Sequence, residues 1–188
     1  MKKIIIIFIL FVISACQPIE KVDQIVFDNS QLAKFDILSS SVEIIEIYEK
    51  KISDPYIDHT LIVSPAQRIK NWVNDNFKAM GNENKFTVKI LDASLTQSEF
   101  DNSEAKNFDE KTNYKFELFY LVEFALLDDS SNAIASTLVE ISRSTTSGLY
   151  ISLKEKERII DDLVYQCLSD LSYESNTLLF HYMDDFIL

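Results

Sequence analysis

The chain has 188 residues, with 18 Lys and Arg against 30 Asp and Glu and a formal net charge of −12. So acidic a chain lacks the basic face that nucleic acid requires, and as a whole it repels anionic lipid head groups. Two glycines and three prolines exclude a glycine-rich phosphate loop and a low-complexity linker, and the length suits one domain with a real core.

The first sixteen residues address the chain. Lys2 and Lys3 form a short positive head, and Ile4 to Ile13 an unbroken apolar run. That run is too short for a comfortable membrane span and right for the core of a signal peptide. It ends in Ile13-Ser14-Ala15-Cys16. This resembles the bacterial lipobox, an aliphatic residue and two small residues before an invariant cysteine. The resemblance implies a lipid on the Cys16 thiol, cleavage between Ala15 and Cys16, and acylation of the new amine. Several acyl chains, at about 0.8 kcal/mol per buried methylene, hold a soluble domain on a membrane without a spanning helix. In such lipoproteins of Gram-negative bacteria an Asp after the cysteine retains the protein in the inner membrane. Gln17 stands there, which implies sorting to the outer membrane, facing the periplasm. The domain reading is therefore a signal peptide over 1–15, a lipidated N-terminus and tether over 16–32, and one periplasmic domain over 33–188. Cleavage removes two lysines and leaves 16 basic residues against 30 acidic ones, a formal charge of −14. Cys167 is then the lone thiol, and on an apolar helical face it behaves as a small hydrophobe.

Taken in order, Ala33 to Glu49 predicts a first strand, bent or bulged at Ser39-Ser40-Ser41, with Phe35, Ile37, Val42, Ile44 and Ile47 in broken alternation and Ile45 out of phase. Lys50 to Val63 is a loop with a turn signal at Asp54-Pro55. A helix follows. Ser64 is its N-cap, Pro65 its first position, and Gln67 completes a capping box. Ile69, Trp72, Val73, Phe77 and Met80 form its apolar stripe, and Gly81 is expected to end it. Lys85 to Leu95 predicts a second strand, and Thr96 to Thr112 a long surface loop. Tyr114 to Leu126 alternates without a miss and predicts a third strand. Its second face, with Phe119 and Leu121 among charges, reads as half covered. Asp128 to Asn132 is a hairpin loop, and Ala133 to Ser144 a fourth strand closed by Thr145 to Gly148. Ser152 and Glu155 open a last helix that runs to the C-terminus if Ser175 fills a turn of its apolar face. One bent helix is the favoured form, its end projecting toward a partner. The fold class is α+β: a four-stranded, mostly antiparallel sheet with two helices on one face, in the order strand, helix, strand, strand, strand, helix. The helical crossover allows the first two strands to lie parallel.

Chemical signals are sparse. There is no G-x-S-x-G, H-E-x-x-H, C-x-x-C or P-loop. The only histidines are His59 and His181. With Asp58, Asp184 and Asp185 they form the one metal grouping worth testing, although their spacing matches no ligand pattern. Asp128-Asp129, Asp161-Asp162 and Asp184-Asp185 read as solvated acids before catalytic ones. Trp72 reads as core, and Arg143 to Thr146 as a polar strand end able to line a groove.

The run Pro55, His59, Val63-Ser64-Pro65-Ala66 and Trp72 is similar to an uncharacterised family of alphaproteobacterial lipoproteins, as are Asp92-Ala93-Ser94, Glu140-Ile141-Ser142-Arg143-Ser144 and the last helix. This chain departs from it by placing isoleucine, lysine and asparagine where the family has proline, arginine and alanine. The family has no assigned activity to carry over. Its layout is similar to the lipoprotein that plugs the lipopolysaccharide-assembly barrel and to the auxiliary lipoproteins of lipid-trafficking ABC transporters. These readings converge on a non-enzymatic accessory factor of envelope assembly or transport, with no cofactor or resident metal, held on the membrane through Cys16 and binding an envelope protein. A lipid or small-ligand carrier and a metal-assisted hydrolase using His59 or His181 are the alternatives.

Overall fold

The structure, a computed structural model, describes residues 27–101 and 111–188. The fold is α+β. Strands β1 (Phe35–Ile37), β2 (Ser41–Glu46), β3 (Phe77–Ala79), β4 (Lys85–Asp101), β5 (Thr112–Leu127) and β6 (Ala133–Gly148) accompany helices α1 (Pro65–Asn76) and α2 (Leu153–Tyr182). The main sheet has the order β2-β4-β5-β6, with β2 parallel to β4 and the other pairs antiparallel. A second, small sheet pairs β1 with β3 in parallel.

The predicted first strand is two strands in two sheets. The serines turn the chain between them. Ser39 Oγ donates to the Ser41 carbonyl (3.0 Å), Ser40 Oγ to the Asn84 carbonyl (2.6 Å), and the Ser40 N–H is shared between the carbonyls of Glu83 and Asn84. Beyond β2 the inward position passes to Tyr48, which is buried, while Ile47 is exposed. The N–H groups of Ile47 and Tyr48 both reach the Ile90 carbonyl, and this doubling reverses the phase that alternation predicted.

Helix α1 starts as expected, with Ser64 Oγ accepting from the Gln67 N–H. It ends at Asn76, four residues before the predicted Met80. Asn76 is buried, and its amide donates to the carbonyls of Asn29, Leu32 and Ala33. Phe77 then turns extended and stacks among Phe35, Trp72, Phe86 and Phe124, with ring centroids 4.6–6.1 Å apart. Pairing with β1 and aromatic packing override a stripe that could have continued as helix. Gly81 is no helix cap. A Cβ there would lie 2.8 Å from the backbone of Leu38 and Ser39, so the two chain segments approach as closely as they do only over glycine.

Strand β4 continues through Asp101 and β5 begins at Thr112, so the flanks of the predicted surface loop are arms of a hairpin; residues 102–110 lie outside the described residues. Its polar alternation hid it, because Ser98 to Asp101 are exposed on both faces. A bulge between Ile90 and Asp92 keeps Ala93 and Leu95 facing inward after Phe86, Val88 and Ile90. Against them stand Phe116, Leu118, Tyr120, Val122, Phe124 and Leu126 of β5, all fully buried beneath Ile69, Trp72, Leu163, Val164, Cys167, Leu168 and Leu171 of the helices. The opposite face carries half-buried Phe119 and Leu121 and the Lys89–Glu123 ion pair at 2.7 Å.

Helix α2 is continuous over 30 residues, and fully buried Ser175 fills its turn. Its end does not project. After a 3-10 turn at Asp184–Phe186, Ile187 bridges Ile37, and the Leu188 N–H donates to the Asp36 carbonyl at 2.9 Å. Phe27 to Leu32, read above as the end of the tether, lies along the helices. Asn29 Nδ2 donates to Asp75, and the Ala33 N–H donates to Ser172 Oγ at 2.8 Å.

Candidate functional site

The loop after β2 docks along the edge of β4. The Ile57 N–H donates to the Leu95 carbonyl and the Gln97 N–H to the Pro55 carbonyl, both at 2.8 Å. Beneath this strap Asp58 is only 1% exposed. Neither carboxylate oxygen has a hydrogen bond of ordinary geometry, nor has the Tyr48 hydroxyl that faces it. Burial pushes the Asp58 carboxyl up from the usual range. Its own backbone N–H, Tyr48, His59 and Lys50 pull it partly back. Burial, then the Asp58 charge, push the Tyr48 phenol up in turn. Lys51 closes the outer side, donating to the Tyr56 hydroxyl at 2.9 Å and lying 4.2 Å from the centre of that ring. The pair can hold a proton, but the strap seals it from any large substrate.

A second polar cluster lies between sheet and helices. Tyr120 is fully buried with no partner for its hydroxyl, and burial raises its phenol. Arg68 reaches Asp161 at 3.6 Å and stacks 3.7 Å from the centre of the Phe27 ring, which meets Tyr165 edge-on. Burial lowers the Arg68 guanidinium and raises the Asp161 carboxyl, so desolvation outweighs their mutual attraction on both sides. A cleft of about 350 Å³ opens here, lined by Phe27, Asn29, Arg68, Asn71, Asn74 and Asp75. Its lining is polar, unlike the apolar cavity of a lipid carrier.

The residues singled out from sequence do not converge. His59 follows the strap at the edge of β4, whereas His181 closes α2 at the opposite end, its ring edge-on to Tyr182. They cannot share an ion, and Asp184 and Asp185 accompany only His181. Among the described residues, no three His, Cys, Asp or Glu side chains come together as metal ligands. Asp128 shapes its turn by accepting from the N–H groups of Ser130 and Asn132, bonds that lower its carboxyl. Trp72 is core, its indole donating to the Ala33 carbonyl at 3.3 Å. Arg143 is tied to the helix layer. Its guanidinium forks onto Asp170 and Gln166 and fastens β6 to α2. Cys167 is fully buried, and burial pushes its thiol up to about 12, so it stays protonated at neutral pH. Ala15, Cys16 and Gln17 lie outside the described residues.

Sequence reasoning missed Tyr48, Arg68 and Tyr120. One signal was available: Arg68 precedes Trp72 by one helical turn, a charge on the core-facing stripe. Tyr48 carried none, because it becomes inward-facing only through the shared hydrogen bonds at Ile90.

No family model matches the chain, and no curated protein matches it. Among solved structures it is similar to a minor lipoprotein from Acinetobacter baumannii, at 10% identity over 73% of this chain and 88% of that one, with a TM-score of 0.41. It is also similar to the rare lipoprotein B from Shewanella oneidensis, at 21% identity, 73% and 93% coverage and a TM-score of 0.35. A neuraminyllactose-binding hemagglutinin homolog from Helicobacter pylori follows at 7% identity, 82% and 92% coverage and a TM-score of 0.39.

Proposed function

We propose that the chain is a lipid-anchored protein of the bacterial envelope, a non-enzymatic accessory factor whose folded domain faces the periplasm from the outer membrane. The observation that carries this reading is the ordered series Lys2-Lys3, Ile4 to Ile13, and Ile13-Ser14-Ala15-Cys16. No helix among the described residues is long and apolar enough to cross a membrane, and an acylated cysteine would supply the attachment in this reading. The accessory role is supported by how the polar groups are used. Arg143, Asp128 and Ser172 are tied into the fold, and the two histidines stand at opposite ends.

The test combines metabolic labelling by a palmitate analogue with copurification in mild detergent, comparing the chain with Cys16→Ser. The expected result is label on the chain, loss of it in the variant, and a specific envelope protein recovered with the labelled form. An unlabelled chain refutes the anchor. A labelled chain that recovers no envelope protein, yet turns over a substrate, refutes the accessory role.

A further inference from the structure

Helices α1 and α2 run side by side in the same direction. Arg68 of α1 meets Asp161 of α2 and shares Phe27 with Tyr165, whereas Trp72 and Asn76, one and two turns on, meet Ala33 beside Ser172. Both helix N-termini therefore lie at one end of the domain. The same end holds the outer arms of β4 and β5 and the close of β6, because Asn113 pairs with Gly148 and Lys156 of α2 donates to Gln97 of β4 at 2.5 Å. The chain climbs toward this end as it is followed back from Ala33 beside Ser172 to Phe27 beside Tyr165.

Three features distinguish this end. First, its loops expose large apolar side chains: Ile62 at 81%, Tyr150 at 84% and Leu153 at 81%, with Phe100 on the hairpin arm beside them. Second, basic residues stand among or near these, Lys111 and Lys154 at the end itself and Lys50 and Lys51 in the strap. Glu99, Asp101 and Glu155 are also present, but without the paired acids of the far end. There Asp128-Asp129, Asp184-Asp185 and Glu83 surround exposed Met80, Tyr182 and Leu188. Third, only ten residues, 17–26, separate Cys16 from Phe27, and they span at most about 36 Å. Tyr165 to Leu153 is about 18 Å along α2, so the link reaches this end without reversing.

We propose that the anchored domain stands on this end, with Ile62, Tyr150 and Leu153 in the head-group layer of the phospholipid bilayer and the acidic far end turned away from it. The inference rests on the reading of Cys16 as the lipid attachment site. Apolar and aromatic side chains flanked by lysines suit the boundary between head groups and acyl chains. The orientation also places the paired acids of the far end, Asp128-Asp129 and Asp184-Asp185, beyond the screening distance of an anionic surface, about 8–10 Å in physiological salt. The far end, apolar in part, would bring those acids against the lipid phosphates.

The test uses the full, lipidated protein, purified from membranes and reconstituted into vesicles of phosphatidylethanolamine with phosphatidylglycerol. Ile62→Cys, Leu153→Cys, Asp129→Cys and Asp185→Cys are each spin-labelled. All four sites are exposed, and native Cys167 is buried, so it stays unlabelled in the folded protein. Accessibility to dioxygen is compared with accessibility to a water-soluble nickel chelate. The expected result is a shift toward dioxygen at positions 62 and 153 and toward nickel at 129 and 185. Protein that floats with the vesicles but carries four equally wet labels overturns this orientation and leaves the anchor standing. Dioxygen preference at 129 and 185 instead inverts it. Protein that fails to float overturns the anchor, and the orientation with it.

Discussion

Asp58→Asn isolates the energetics of the strap. Asp58 is 1% exposed, and its two oxygens lack hydrogen bonds of ordinary geometry. A buried polar group left in that state costs about 1–3 kcal/mol, and an ionised one more. Asparagine keeps the shape and drops the charge, but its amide inherits part of the same deficit. The expected gain in stability at pH 7 is therefore about 1–2 kcal/mol, with Tm rising about 2–4 °C per kcal/mol in a domain of this size. The sign follows from linkage. Burial raises the folded-state pKa of Asp58 above its unfolded value near 3.8, so between the two the native state holds more protons than the unfolded chain. Wild-type stability from this group is fully present below the unfolded pKa and is lost as pH rises through the folded one. The gap between variant and wild type should accordingly be smaller at pH 4 than at pH 7. Urea unfolding at both values, followed by the fluorescence of buried Trp72, reads it directly. A variant less stable than wild type at pH 7, or a gap that does not change with pH, refutes the assignment of Asp58 as an under-compensated buried acid.

Gly81→Ala should destabilise by about 1–3 kcal/mol in the same assay, because the added methyl meets backbone at 2.8 Å and the two chain segments must part; an unchanged midpoint would contradict the close approach. Arg143→Ala should cost about 1 kcal/mol or less, since the Arg143–Asp170 fork is more than a third exposed, and added salt should shrink the difference measured by thermal melting. Cys167 should resist an aromatic disulfide reagent in the native protein and react at once in urea, as burial both hides its thiol and keeps it protonated. Prompt native-state reaction would show that α2 opens readily from the sheet.

Much of the fold was legible because local and tertiary preferences agree. The unbroken alternation from Tyr114 to Leu126 belongs to the central strand β5, whose inward face is covered by the helices and by the aromatic cluster at Phe77. The serines at 64 and 152 cap their helices as their spacing predicts. Expectations failed where a longer-range contact won. The stripe reaching Met80 was a fair helix, but β1 and the aromatic cluster drew Phe77 into a strand. The polar run from Thr96 to Asp101 looked like loop, and only backbone pairing with β5 made it strand. The C-terminal residues looked free to project, and pairing with β1 folded them back.

The candidate sites divide in the same way. Composition, the signal core and the cysteine at position 16 are written locally, since a processing enzyme reads such a segment as extended chain. They set the proposed address without any reference to the fold. Whether His59 and His181 meet, whether Asp58 finds a partner, and which end carries the exposed isoleucine, tyrosine and leucine depend on residues far apart in sequence. Those distances follow from the parallel run of the two helices and the register of four strands. Only the packed structure decided them, because burial and proximity are properties of the whole chain and of no single stretch of it.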